Sequence, residues 1–137
     1  MGAYASLEQN TVVKQMAGGS AVTTVTGAGI DTAGYSEALV ILTLGNVTAT
    51  GSLAAKIQHA DADTGYGDLT GGAFTAKSGA VDNTVYIARL KLDGNDVKRW
   101  IKAVTVVSTD TVDHTVTVVL SGNQYNPQAV TVAEFTK

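Results

Sequence analysis

Residues 38–44 read ALVILTL, a run in which only Thr43 is polar. Successive side chains of a strand point to opposite faces, so a strand made from this run has two apolar faces. Such a strand belongs inside a sheet, with cover on both sides or with a subunit contact on one of them. The segments around it alternate instead. In residues 53–59, LAAKIQH, the side chains of Leu53, Ala55, Ile57 and His59 point one way and those of Ala54, Lys56 and Gln58 the other. One face meets a core and the other meets water.

The same period of two recurs downstream. Residues 85–92 place Tyr86, Ala88, Leu90 and Leu92 inward and Arg89 and Lys91 outward, and DGND at 93–96 supplies a turn. Residues 100–108, WIKAVTVVS, and 114–120, HTVTVVL, are two further strands. The short TDTVD between them reads as the turn of a hairpin. Residues 130–135 read as a last edge strand after the GNQYNP corner. Val and Thr dominate, Pro127 is the single proline, and the 15 glycines fall mainly between apolar runs. Short strands with no clear helical segment among them predict an all-β chain: a single-domain antiparallel β-sandwich, jelly-roll-like or immunoglobulin-like, over residues 31–137.

Residues 1–30 differ. They contain several glycines and no clean alternation before residues 21–26, and they are read as an N-terminal arm. Leu7, Val12, Val13 and Met16 form either one short helical face or a set of anchors on an extended segment. In both cases they are the expected partner-binding residues, on an arm that orders against its partner.

Composition narrows the function. At 137 residues with 45% hydrophobic and 15% charged side chains, the chain has the material for one core and lies far from a disordered composition. Nine Lys and Arg against twelve Asp and Glu give a net charge of -3, and the basic residues cluster only in KRWIK at 98–102. A nucleic-acid surface needs concentrated positive charge, so no nucleic-acid partner is expected. The chain has no cysteine, which excludes disulfides, thiolate nucleophiles and cysteine zinc sites. No basic n-region or apolar h-region opens it, and no run approaches the roughly 20 residues of a membrane helix, so synthesis in cytosol and no membrane partner are expected. Gly2 and Ser6 fit the short myristoylation pattern, although nothing else in the sequence points to a lipid anchor.

The densest polar stretch is KIQHADADTGYGDL at 56–69, with His59, Asp61, Asp63 and Asp68. An EF-hand loop needs glycine at its sixth position and a bidentate Glu at its twelfth. Counted from Asp61, Gly65 falls at the fifth position and Gly72 at the twelfth, so the pattern fails and a strand-to-loop turn is the better reading. His59 and His114 match no local metal motif; His59 reads as a partly buried core residue and His114 as the cap of a turn at a strand start. No serine sits in a G-x-S-x-G elbow, and GAGIDTAG at 27–34 does not continue into a phosphate-binding helix. Catalytic residues, metal ligands and cofactors are therefore expected to be none.

Residues 33–69, AGYSEALVILTLGNVTATGSLAAKIQHADADTGYGDL, resemble a pattern that recurs in small virion proteins of tailed bacteriophages and prophages. There a Gly-Tyr corner leads into a hydrophobic strand. A glycine turn follows, then a strand closing on a phrase like KIQHAD, then an Asp and Gly loop. Residues 97–108, VKRWIKAVTVVS, and 118–127, VVLSGNQYNP, are similar to that family's closing strands and corner. The resemblance implies a head decoration, or cement, protein: a β-sandwich on the outer surface of an icosahedral capsid, made in the host cytoplasm and carried on the virion. Its implied partners are the major capsid protein and further copies of itself, as a homotrimer. A low-copy tail, head-fibre or connector protein, and a calcium- or glycan-binding adhesion module built on Asp61 to Asp68, are the alternatives.

Overall fold

The computed structural model describes residues 12–79 and 81–122. Ten strands follow in order: β1 (Val12–Gly19), β2 (Thr24–Thr26), β3 (Ile30–Asp31), β4 (Glu37–Val47), β5 (Ser52–Ala60), β6 (Gly67–Ala73), β7 (Lys77–Ser78), β8 (Val85–Lys91), β9 (Trp100–Ser108) and β10 (Val112–Ser121). They form two antiparallel sheets packed as a sandwich. The first has the order β1-β10-β4-β8. The second has the order β2-β9-β5-β6, with β3 also on β9 and β7 also on β5.

Alternation builds the core. Ala38, Val40, Leu42 and Leu44 of β4 and Val112, Val116, Val118 and Leu120 of β10 meet Leu53, Ala55 and Ile57 of β5 and Ile101, Ala103 and Val107 of β9. All of these are buried, as period-two burial requires of a two-layer fold. The expected strands at 53–59, 85–92, 100–108 and 114–120 all lie where alternation placed them, within a residue or two. Residues 130–135 lie outside the described residues.

Two expectations are corrected. Residues 12–31 supply β1, β2 and β3 to the two sheets, so described residues that were assigned to an arm or a short helix are part of the sandwich. The alternation there is hidden by a bulge in β1 between Gln15 and Ala17, which turns both Met16 and Ala17 into the core. The strands at 100–108 and 114–120 do not form a hairpin either. β9 pairs with β5, β2 and β3 in one sheet, and β10 pairs with β1 and β4 in the other. Residues 109–111 arch from one layer to the other, with Thr109 in the left-handed region at φ 72°.

The arch is locked by His114, which bridges the layers from a buried position rather than capping a turn. Its Nδ1 lies 3.0 Å from the Val112 carbonyl and its Nε2 lies 2.9 Å from Thr105 Oγ1. A carbonyl can only accept, so Nδ1 carries a proton, and in the neutral imidazole Nε2 then accepts the Thr105 hydroxyl. Thr105 is itself fully buried in β9, so both polar groups are satisfied where water does not reach.

Candidate interaction surface

The polar loop between β5 and β6 is committed to holding itself in place. Asp61 pairs with Lys98 at 3.1 Å, Asp63 accepts the Tyr66 hydroxyl at 2.6 Å, and Asp68 accepts from Lys56 and Gln58 at 2.9 and 2.8 Å. His59 Nδ1 accepts the Lys98 backbone N–H at 3.2 Å. Gly65 takes φ 65°, as a tight turn requires. Desolvation of its ring, helped by the Asp63 carboxylate, pushes the Tyr66 phenol up to about 12. Among the described residues no three His, Asp or Glu side chains gather where a metal ion could sit.

The basic KRWIK segment is similarly engaged. Lys98 holds Asp61, Lys102 lies 4.2 Å from the Tyr66 ring centroid, and Arg99 makes a fork to Asp31 with two contacts of 2.8 Å. The Arg99 hydrogen bonds hold the Asp31 carboxyl below its ordinary value, against the opposing pull of partial burial. A carboxyl depressed on folding stabilises the fold above its unfolded value near 3.9, and that support is lost as pH falls through the folded value. Arg99→Ala is accordingly expected to lower the urea midpoint slightly at pH 7, because the pair is exposed, and the difference from wild type should shrink as pH falls below the ordinary carboxylate range.

What remains is the outer face of the first sheet. Strand register places its side chains in rows: Val13, Val119, Leu39 and Arg89 in one, and Gln15, Thr117, Ile41 and Ile87 in the next. A third row carries Thr115, Thr43 and Val85. Leu39 and Ile41 are half-buried by their neighbours, whereas Val13, Val85 and Ile87 are 43%, 56% and 59% exposed. An apolar stripe therefore crosses all four strands. At one end, beside the row of Ser121, Glu37 and Lys91, Leu39, Arg89 and Val119 line a depression of about 380 Å³. Contiguous apolar surface of this kind marks contact sites.

The two-sided run at 38–44 thus keeps one face in the core and one on this surface. Of the residues expected to bind a partner, Val13 lies on it. Val12 and Met16 face the core and are used within the chain, and Leu7 lies outside the described residues. Val85 and Ile87 were not singled out from the sequence, although their alternation with Tyr86 and Ala88 carries the signal.

No family model and no curated protein matches the chain. Solved structures with a similar fold include chains of the infectious bursal disease virus Gx and Gt strains, with TM-scores of 0.46 and 0.44 and identities of 16% and 17%. Each match covers 88% of this chain but only 33% and 32% of the viral chains, so this chain spans about a third of their length. Likeness at this level carries no argument about function.

Proposed function

We propose that this chain is a structural protein of a virion, a decoration protein that covers the outside of a bacteriophage head and fastens neighbouring major capsid subunits. The observation that carries the reading is the apolar stripe of Val13, Val119, Leu39, Ile41 and Ile87 on the outside of a sandwich whose polar clusters are spent on its own loops. The resemblance of residues 33–69, 97–108 and 118–127 to small phage virion proteins supports it. The work of such a protein is mechanical: modest contacts, repeated over many copies, add up across a shell. A homotrimer at local threefold positions fits this role, with Val13 among the contact residues.

Quantitative mass spectrometry of gradient-purified particles tests the assignment. A copy ratio to the major shell protein near one to one, or one trimer per local threefold, is expected. A few copies per particle would move the protein to the tail, fibre or connector, and its absence from particles would end the virion reading.

A further inference from the structure

The outer edge of β8 is a docking site, and we infer that its occupant is β8 of a second copy of this chain, paired antiparallel about Ile87. The hydrogen bonds fix which backbone groups are available. Leu44 N–H donates to the Thr84 carbonyl and Leu92 N–H donates to the Ser36 carbonyl, both at 2.8 Å. Even-numbered residues of β8 therefore turn their backbone groups to β4, and Val85, Ile87, Arg89 and Lys91 turn theirs away. Among the described residues nothing pairs with that side. The register of β8 with β4 is unbroken and the strand contains no proline, so its shape does not blunt the edge. Val85 and Ile87, the two most exposed large hydrophobic side chains among the described residues, stand on this strand. Its inward side chains Tyr86, Ala88 and Leu90 are only half-buried, whereas Leu42 and Val40 opposite the first two are fully buried. A further strand would supply cover on both faces.

Charge selects a second copy as the occupant and sets the register. Arg89 and Lys91 stand at one end of the strand and Asp82 in the turn at the other; all three are exposed, and none forms a salt bridge among the described residues. Asp82 Oδ1 accepts the Val47 N–H at 2.8 Å, which fixes the carboxylate at its end. An edge that is basic at one end and acidic at the other is complementary to its own reverse, and an antiparallel copy is reversed. Pairing about Ile87 sets Ile87 opposite Ile87 of the second copy, Arg89 opposite Val85, and Lys91 opposite Asn83 in the acidic turn. A register centred on Arg89 brings two guanidinium groups face to face, and one centred on Ala88 brings them onto a diagonal, so like charge disfavours both. On the inner face the Ile87 register lays Tyr86 against Ala88 of the second copy, a large side chain beside a small one.

The twofold axis of this pair stands perpendicular to the sheet, so both outer faces look the same way. The row of Gln15, Thr117, Ile41 and Ile87 continues into Ile87 and Ile41 of the second copy, and the apolar stripe lengthens without changing sides. β1, which carries Val13, is the opposite edge of the sheet, so a trimer contact there does not compete with this pairing.

Amide exchange on the isolated full chain tests the contact between about 10 μM and about 1 mM, the range in which an interface this small is expected to form. The N–H groups of Val85, Ile87 and Arg89 should exchange roughly tenfold more slowly at the higher concentration, whereas those of Tyr86, Ala88 and Leu90, bonded to β4, should change little. The chain has no cysteine, so Ile87→Cys and Val85→Cys give a second readout. Directly paired residues have Cα atoms about 5.5 Å apart, within disulfide reach, so Ile87→Cys should oxidise to a covalent dimer. Val85 is as exposed but lies about 13 Å along the strands from its own copy, so Val85→Cys should cross-link at least about tenfold more slowly. Exchange at the odd residues that is independent of concentration would overturn the proposal: if fast it leaves the edge open, and if slow it assigns the edge to the same chain. Equal cross-linking of the two variants would overturn it too. The pairing does not rest on the capsid reading, and neither readout uses a particle, so its failure would leave that reading standing.

Discussion

Replacing His114 by alanine is expected to lower the unfolding free energy by about 3–5 kcal/mol. Two effects add. Removing the imidazole empties space between the layers, and it strands the Thr105 hydroxyl and the Val112 carbonyl in a region closed to water. Small domains have only about 5–15 kcal/mol in total, so the variant should be partly unfolded under mild conditions. Urea denaturation followed by fluorescence measures the shift in midpoint, with an unchanged slope as the sign that the unfolded state is the same. The comparison that isolates the polar term is Thr105→Val combined with His114→Phe. Replacing both partners by apolar groups should recover much of the loss. A loss below about 1 kcal/mol for His114→Ala would contradict the bridging role.

The second large effect concerns binding and leaves the fold alone. Ile87→Asp changes a side chain that is 59% exposed and makes no core contact, so its stability cost should stay within about 1 kcal/mol. On the outer face, however, it puts a carboxylate into the centre of the apolar stripe, between Ile41 and the edge. Burying that charge without a partner costs at least about 3 kcal/mol, more than about a hundredfold in affinity. The variant should therefore fold and fail to attach. A thermal melt beside a particle-binding titration separates the two outcomes. A variant with a normal melt and normal attachment would move the contact surface elsewhere.

The strands were legible because alternation reports burial directly. WIKAVTVVS turns Ile101, Ala103, Thr105 and Val107 inward, and the strand found there has the expected bounds. The partner of each strand was not legible. Alternation in β9 and β10 states which face is buried without stating in which sheet, so two neighbouring strands read as a hairpin when the chain arches between layers. β1 escaped notice for another reason. Its bulge breaks the period of two, so Val12, Met16 and Ala17 do not read as one face although all three are buried.

The polar clusters divide in the same way. Asp61, Asp63 and Asp68 were readable as a turn from their spacing with Gly65 and Gly67. His114 was misjudged because its partner, Thr105, lies on the other sheet, and no local pattern announces a contact across layers. The interaction surface was half visible. The run at 38–44 declared a second apolar face, but Val13, Val119 and Ile87 join it only through strand register, which depends on the fold.

The central claim is that the outer face of the first sheet carries the attachment to other subunits of a particle. Occupancy measures it most directly: particles stripped of this protein, incubated with wild type or Ile87→Asp, repurified, and quantified by mass spectrometry against the major shell protein. Saturable rebinding of the wild type with near-complete loss for the variant is the predicted result. Equal occupancy by both chains, or no rebinding of wild type to its own stripped particles, would contradict the account.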